Sequence, residues 1–257
     1  MKLFLGLLIL TSVTAHAKII ANNVEYKDKA GNAFVGYLAF DDSVKGIRPG
    51  VVVVHEWKGL DGYTKMRTEQ LAKLGYVAFA ADIYGKGIRP DASEAGKVSG
   101  SYKNNRPLYR ERLLLALEKF KQESLIDKKR IAVIGYCFGG TGALELARAG
   151  ADIKGAVSFH GSPDSPTPED ARNIKGKILV LHGAEDPNVP EAQLTSFENE
   201  MRAAKVDWQL VKYSGAVHGF TNSQNGSDPA KGVAYNAEAD KRSWIAMRDF
   251  FQEIFAR

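Results

Sequence analysis

Hydrophobic and polar positions follow two different patterns along the chain. Lys18 to Glu25 and Ala33 to Phe40 are typical of two strands joined by a hairpin turn over Lys29 to Asn32. From Val51 onward, short apolar runs alternate with segments of helical period. The first run, Val51 to His55, is almost entirely β-branched, as expected of a strand buried on both faces of a parallel sheet.

The later segments predict the remaining elements. Strands are predicted at Tyr76 to Ala81, Arg130 to Gly135, Ile153 to Phe159, Lys177 to His182 and Trp208 to Tyr213. Helices are predicted at Tyr63 to Leu74, Leu108 to Phe120 and Gly140 to Ala149, from Pro190 onward, and along a final stripe of Trp244, Met247, Phe251 and Ile254. We therefore predict one α/β domain over residues 18–257, with a doubly wound, mostly parallel sheet and antiparallel N-terminal edge strands.

The segment from Ile83 to Arg106 has no clear period and is rich in Gly, Lys and Ser, which predicts a long loop or lid. Its basic residues outnumber Asp91 and Glu94. They are Lys86, Arg89, Lys97, Lys103 and Arg106. Such a segment is either a lid that attracts anions or an ordinary solvated loop.

Residues 1–17 have the three parts of a signal peptide. Lys2 supplies the positive charge, Leu3 to Val13 form a mostly apolar run too short to span a bilayer, and Ala15-His16-Ala17 fits a cleavage site. The alternative is an N-terminal strand or buried helix, which the order of these parts disfavours. We expect cleavage after Ala17 and export to a bacterial periplasm, without a membrane or lipid anchor.

The composition excludes several classes of protein and ligand. The 257 residues are 44% hydrophobic and 25% charged, which argues against a disordered chain, a fibre or a disulfide scaffold. The formal net charge of +5 comes from basic residues interleaved with acidic ones, so nucleic-acid binding is not expected. Without a cluster of metal-ligand spacing or a nucleotide-binding glycine motif, we predict neither metal nor cofactor.

The single cysteine, Cys137, lies in the sequence G-Y-C-F-G-G, between a predicted strand and a predicted helix. This is the glycine-flanked turn that exposes a nucleophile above a sheet, with Cys where Ser is usual. The start of the helix favours a thiolate, and the Phe138 N–H is placed to bind a developing oxyanion. The alternative is a structural glycine-rich turn with a buried cysteine that behaves as a small hydrophobic residue.

A candidate acid and a candidate base follow in the chain. Asp186 lies in the loop after the strand Lys177 to His182, and His218 follows the last strand. The order nucleophile, acid, base is that of α/β-hydrolases. His218 would then exchange protons with the thiol and the leaving group, while Asp186 would orient the imidazole. Glu185 is the competing acid.

Glu56 and Trp57 follow the buried strand Val51 to His55, in the sequence H-E-W-K-G. A carboxylate there lies at the same edge of the sheet as Cys137, although a solvated glutamate at a strand end is the alternative. The Trp57 N–H is a candidate second donor to an oxyanion. A zinc-protease motif would require histidine at position 59, which is glycine.

Taken together, the chain resembles the dienelactone hydrolase family. The matching motifs are H-E-W-K-G, Asp82-Ile83-Tyr84, G-Y-C-F-G-G, A-E-D-P-N-V-P and V-H-G-F, which span most of the mature chain. The resemblance implies a triad of Cys137, His218 and Asp186. It further implies that Glu56 contacts the thiol and helps to deprotonate it when substrate arrives. The well-known reaction of the family opens a dienelactone ring.

Four residues are candidates for the substrate pocket. Lys86 stands where the family has an arginine after its Asp-Leu-Tyr motif, and Asn222 where it has one after the catalytic histidine. Lysine keeps the charge but not the bidentate fork, and asparagine has no charge. Tyr84 belongs to the matching motif, and His160 ends a predicted strand; like His55 and His182, His160 is alternatively a structural histidine bonded to loop backbone. The pocket could therefore still accept an anion.

These observations predict a cysteine-dependent hydrolase of a small ester or lactone that forms an acyl-enzyme. A broad carboxylesterase or thioesterase is the alternative within hydrolases. A non-hydrolytic relative, in which Cys137 is a redox-sensing or structural thiol, is the alternative from another class. Binding without turnover is a third possibility.

Overall fold

The computed structural model describes residues 18–256, and the predicted signal peptide lies outside the described residues. Eight strands within these described residues form one sheet. They are β1 (Ile19–Lys27), β2 (Ala33–Asp41), β3 (Arg48–Val54), β4 (Val77–Ala81), β5 (Ile126–Tyr136), β6 (Gly155–Phe159), β7 (Lys177–Gly183) and β8 (Trp208–Tyr213).

The order of strands across the sheet is β1-β2-β4-β3-β5-β6-β7-β8. The pairs β1–β2 and β2–β4 are antiparallel, and every other neighbouring pair is parallel. The predicted α/β fold class, with a mostly parallel sheet and antiparallel N-terminal strands, is therefore confirmed. The pairing puts the continuous valine run of β3 between β4 and β5, where Val51 to Val54 are fully buried.

Six α-helices in the described part of the chain cover the sheet. They are α1 (Gly62–Lys73), α2 (Ala92–Lys103), α3 (Arg106–Phe120), α4 (Phe138–Arg148), α5 (Glu191–Ala204) and α6 (Ala237–Phe255). Three short 3-10 helices lie at Pro168–Asn173, Ser223–Asn225 and Pro229–Lys231. No helix among residues 18–256 is both long and apolar enough to cross a membrane.

The core consists of two apolar clusters, one on each face of the sheet. Val52 and Val54 belong to one cluster with Leu117 of α3, whereas Val51 and Val53 belong to the other with Phe251 of α6. Successive side chains of a strand point to opposite faces, so one β-branched run contributes to both clusters.

The prediction of a loop from Ile83 to Arg106 is wrong over half of its length, because the segment contains α2. The Asp91 carboxylate caps this helix by accepting from the N–H groups of Ser93 and Glu94. Within it only Ala95 and Ser99 are buried. One buried turn contains too few apolar residues to give the hydrophobic pattern of helical period that would have predicted the helix.

Candidate active site

Cys137 stands on a strained turn between β5 and α4. Its φ of 54° is a left-handed conformation that side chains other than glycine rarely adopt. A Cβ atom at Gly135 would overlap the carbonyl of Gly139, and one at Gly139 would overlap the backbone of Val54. The two glycines are thus required by close approach of backbones, and the turn lifts the thiol above the end of the sheet.

The structure brings Cys137, His218 and Asp186 together. The Cys137 Sγ atom lies 3.1 Å from His218 Nε2, and His218 Nδ1 lies 2.8 Å from Asp186 Oδ2. The other oxygen of Asp186 accepts from the Asn188 N–H at 2.8 Å. Glu185, by contrast, is exposed and accepts from the Gly215 N–H, so Asp186 is the carboxylate that contacts the imidazole.

His218 favours its protonated form. Burial alone would lower its pKa, but the neighbouring Cys137 sulfur and the hydrogen bond that His218 donates to Asp186 outweigh burial and raise the pKa to about 10. At neutral pH His218 is therefore best described as an imidazolium beside the Cys137 sulfur. A thiolate is the nucleophilic form of cysteine.

Glu56 lies at the same site but is held by a different partner. Its carboxylate is buried and accepts a hydrogen bond from Asn222 Nδ2 at 2.7 Å. The family resemblance implies a contact between Glu56 and the thiol. Among residues 18–256, no hydrogen bond joins these two groups. Burial raises the pKa of Glu56 to about 7, and the bond from Asn222 only partly opposes this. Glu56 thus changes charge near neutral pH.

Replacing Glu56 by glutamine is expected to stabilise the protein at alkaline pH. Because the pKa of Glu56 is raised in the folded state, from 4.5 to about 7, folding is favoured while the group stays protonated. The protonated carboxyl contributes its full stability below pH 4.5, and this stability is lost as the pH rises to about 7. At about 1.36 kcal/mol per unit of pKa shift, the loss in the free energy of unfolding is up to about 3 kcal/mol. Glu56→Gln removes that loss, because an amide does not ionise. The amide oxygen can still accept the hydrogen bond from Asn222.

Urea unfolding of the wild type and Glu56→Gln at pH 5 and pH 8 measures this difference. The two proteins should be close in stability at pH 5, with the variant about 2–3 kcal/mol more stable at pH 8. Equal stabilities at pH 8 would show that the buried carboxyl titrates as it does in water.

A cavity of about 360 Å³, here called the catalytic cavity, lies over Cys137. Glu56, Trp57, Phe138 and His218 line it. Among residues 18–256, no acceptor receives a hydrogen bond from the backbone N–H of Phe138 or of Trp57. Both predicted oxyanion donors are therefore free to bind an oxygen atom of a ligand.

The four predicted pocket residues have different surroundings. Tyr84 is buried, and its hydroxyl donates to the Trp57 carbonyl at 2.9 Å, so it supports the wall of the cavity. Lys86 lies outside the catalytic cavity, where its ammonium pairs with Glu25 at 2.6 Å near the surface. Asn222 contacts Glu56.

His160 is the fourth predicted pocket residue, and it lies beneath the nucleophile. Its Nδ1 accepts from the Cys137 N–H at 3.1 Å, which leaves Nε2 to donate to Thr221 Oγ1 at 2.7 Å. Burial lowers the pKa of His160 well below its usual value, so the ring is neutral. The hydroxyls of Thr221 and Tyr63 continue the network at 2.6 Å. These contacts fit the alternative of a structural histidine.

His55 is also buried and neutral. Its Nδ1 donates to the Glu56 carbonyl at 2.6 Å, and its ring stacks on Phe138. Burial lowers the pKa of His55 to about 4. This histidine connects the Glu56 turn to the wall of the catalytic cavity.

Two cavity residues, Ser99 and Lys103, come from α2, and sequence reasoning assigned them no role in the site. The excess of basic residues between Ile83 and Arg106 was the available signal, but it could not single out Lys103. Ser99 and Lys103 lie on the same face of α2, so both reach the same cavity only because this segment is a helix.

Comparison with known proteins identifies the family of the chain. The model of the dienelactone hydrolase family matches residues 34–255. The chain belongs to that family. It is 38% identical to a dienelactone hydrolase-like promiscuous phosphotriesterase from metagenomic libraries, with a TM-score of 0.87 over 93% of this chain and 99% of that one. The fold is thus that of the α/β-hydrolases.

A curated relative has a more specific name. The "Probable 2-oxo-3-(5-oxofuran-2-ylidene)propanoate lactonase" of a Bradyrhizobium species is 30% identical over 202 residues. The aligned region covers 74% of this chain and 80% of that protein. This chain is therefore a hydrolase of the dienelactone hydrolase family.

Proposed function

We propose that the protein hydrolyses small esters or lactones through an acyl-enzyme on Cys137. The observation that carries this proposal is the contact of 3.1 Å between Cys137 Sγ and His218 Nε2, above a strained turn and inside a cavity. A structural cysteine does not require an oriented base beside it. A redox sensor does not require an acid such as Asp186 to orient the imidazole. The geometry therefore favours hydrolysis over both alternatives.

The first half of the reaction forms a thioester. The thiolate adds to the carbonyl carbon of the ester, and the carbonyl oxygen becomes an oxyanion that accepts from the N–H groups of Phe138 and Trp57. When the tetrahedral intermediate collapses, the bond to the alcohol oxygen breaks and the His218 imidazolium gives that oxygen its proton. In a lactone the released alcohol stays attached to the acyl group.

The second half consumes water. His218, now neutral, accepts a proton from a water molecule as its oxygen attacks the thioester carbonyl. Collapse breaks the bond between carbon and sulfur and restores the thiolate beside the imidazolium. Asp186 keeps the imidazole in the tautomer that presents Nε2 to the reacting atoms in both halves.

Glu56 is proposed to act before the first attack. With a pKa of about 7 and a place in the same cavity, it can accept the thiol proton in molecules where Cys137 is protonated. Asn222 holds the carboxylate without the charge that an arginine would supply, which leaves Glu56 a stronger base than an ion-paired carboxylate.

The test is a hydrolysis panel on the purified protein, before and after treatment with iodoacetamide. The panel contains para-nitrophenyl acetate, an aryl thioester, a dienelactone and, because of the phosphotriesterase relative, an aryl dialkyl phosphate. Since the chain has one cysteine, alkylation can modify only that thiol. We expect ester or lactone turnover that falls in proportion to the alkylated fraction measured by mass spectrometry.

Other results would overturn the proposal. Turnover that survives complete alkylation would show that Cys137 is not the nucleophile. Rapid alkylation near neutral pH without turnover of any compound would favour the redox alternative. Slow alkylation without turnover would indicate a structural cysteine.

A further inference from the structure

Arg67, on α1, is a buried arginine whose contacts lead toward the active site. It is only 5% exposed, and each of its three guanidinium nitrogens donates a hydrogen bond. Nε donates to the Tyr63 hydroxyl at 3.1 Å, and Nη1 donates to the Gln70 side chain at 3.1 Å. Nη2 donates to the Thr221 carbonyl at 2.7 Å and pairs with Asp240 of α6 at 2.5 Å. One side chain therefore joins α1 and α6 to the segment around Thr221.

A first branch of contacts leads from Thr221 to the proposed nucleophile. The Tyr63 and Thr221 hydroxyl oxygens lie 2.6 Å apart, and Thr221 Oγ1 accepts from His160 Nε2 at 2.7 Å. His160 Nδ1 accepts from the Cys137 N–H at 3.1 Å, a donor that the Phe159 carbonyl shares at 3.0 Å. Hydrogen bonds therefore connect the buried arginine to the backbone of the cysteine.

A second branch leads from the Thr221 main chain to Glu56. Asn222 follows directly in the chain, and its amide donates to the buried Glu56 carboxylate at 2.7 Å. The Asn222 N–H donates to the Gly219 carbonyl at 3.1 Å, so these residues form a tight turn. The hydrogen bond from Arg67 to the Thr221 carbonyl fixes the end of this turn from which Asn222 projects.

The first branch ends at two residues with strained backbones. Among residues 18–256, three residues other than glycine have a left-handed φ, and two of them are Cys137, at 54°, and His160, at 41°. The third, Lys205, ends α5. Strained conformations persist only where surrounding contacts hold them. The hydrogen bond between Cys137 and His160 joins the two strained positions, and the contacts that begin at Arg67 support it from behind.

We propose that Arg67 is a positioning residue for the reaction at Cys137. It holds both branches at once, and so it sets the turn that carries the sulfur and the side chain that holds Glu56. The guanidinium does this without touching a reacting atom, because Arg67 is not among the described residues that line the catalytic cavity. The inference rests on the proposed function, since it concerns turnover at Cys137. The alternative is an arginine that only ties α1 to α6 through Asp240.

The test replaces Arg67 by lysine, which keeps the positive charge but cannot make all of the arginine's hydrogen bonds at once. A displacement of reacting groups by about 1 Å can lower the rate about 10²-fold, so we expect kcat to fall by that order with little change in KM. The rate of alkylation of Cys137 by iodoacetamide should fall as well, because the sulfur would no longer face His218 Nε2 at the same distance. Alkylation is measured without turnover.

The matched control is Arg48→Lys. Arg48 is also 5% exposed and also donates to a main-chain carbonyl, that of Asp41, at 2.7 Å. It lies at the start of β3, whereas Glu56 follows the end of that strand. Urea unfolding should show that both variants lose stability, because each loses the donors of a buried arginine. Only Arg67→Lys should lose kcat and react more slowly with iodoacetamide.

Thr221→Val tests the first branch by itself. It removes the hydroxyl that joins His160 to Tyr63 but keeps the carbonyl that Arg67 holds. We expect kcat and the alkylation rate to fall about tenfold, the value of one hydrogen bond, and so by less than in Arg67→Lys.

Two results would overturn the inference. Wild-type kcat and alkylation rates in Arg67→Lys would show that this arginine only ties the helices together. Equal losses of kcat in Arg67→Lys and Arg48→Lys would show that activity follows stability and not the position of the sulfur. Failure of the wild type to hydrolyse any compound would overturn the proposed function, whereas the alkylation rates would still show whether Arg67 positions the Cys137 thiol.

Discussion

Replacing Cys137 by alanine is expected to lower kcat for an ester by about 10⁴-fold or more. The variant loses the sulfur that lies 3.1 Å from His218 Nε2, and no other thiol exists in the chain. What remains is substrate binding and the two free N–H groups of Phe138 and Trp57. Such groups alone retain only a small part of the acceleration in enzymes with this type of triad.

The variant Cys137→Ser separates the effect of an ionised nucleophile on kcat from the effect of its position beside His218. A hydroxyl in the same place keeps the contact with His218 but is not ionised by it, so kcat should fall between the values for the wild type and for Cys137→Ala. Urea unfolding of both variants shows whether the fold is intact. A Cys137→Ala protein that keeps more than about a tenth of the activity would mean that another group is the nucleophile.

The residues proposed to react could be identified from the sequence because they follow strands. Parallel strands have their carboxyl ends at one edge of the sheet, so Cys137, Asp186 and His218 had to lie near one another once the buried runs before them were recognised. Glu56 follows β3 by the same rule. The turn glycines are likewise local signals, since the crowding that excludes a Cβ arises within the turn itself.

The surroundings of the site could not be predicted in this way. Lys86 was assigned to the pocket from its position in a motif, but the strand β1 brings Glu25 to it, a partner 61 residues earlier in the chain. The Glu56–Asn222 hydrogen bond joins residues 166 positions apart. Such pairs depend on how distant loops are packed, and the sequence contains no periodic signal for them.

The position of Asn222 shows how one such contact changes the chemistry. From the sequence, asparagine there meant only the loss of a charge. In the structure its amide is the hydrogen-bond donor to a buried carboxylate, and a neutral donor leaves the pKa of Glu56 raised at about 7. Stability is consequently expected to depend on pH through Glu56, and so is the proposed reaction.

Asp186→Asn is expected to lower kcat by about 10³-fold. Asp186 Oδ2 accepts a hydrogen bond from His218 Nδ1 and leaves Nε2 facing the sulfur. An asparagine can instead donate to Nδ1, which places the imidazole proton on Nε2, where the ring can no longer accept one. The variant also loses a carboxylate that raises the pKa of His218, so the imidazolium should be lost at lower pH than in the wild type.

Glu185→Gln is the matched control, because it removes a carboxylate from the same loop whose hydrogen-bond partner among residues 18–256 is the Gly215 N–H and not His218. Steady-state kinetics of both variants, with a proton NMR titration of the imidazole, tests the assignment. The pKa of His218 should fall in Asp186→Asn and stay unchanged in Glu185→Gln. If Glu185→Gln caused the larger loss of kcat, the acid of the site would be Glu185, and the hydrogen bond of 2.8 Å between Asp186 and His218 would have no role in turnover.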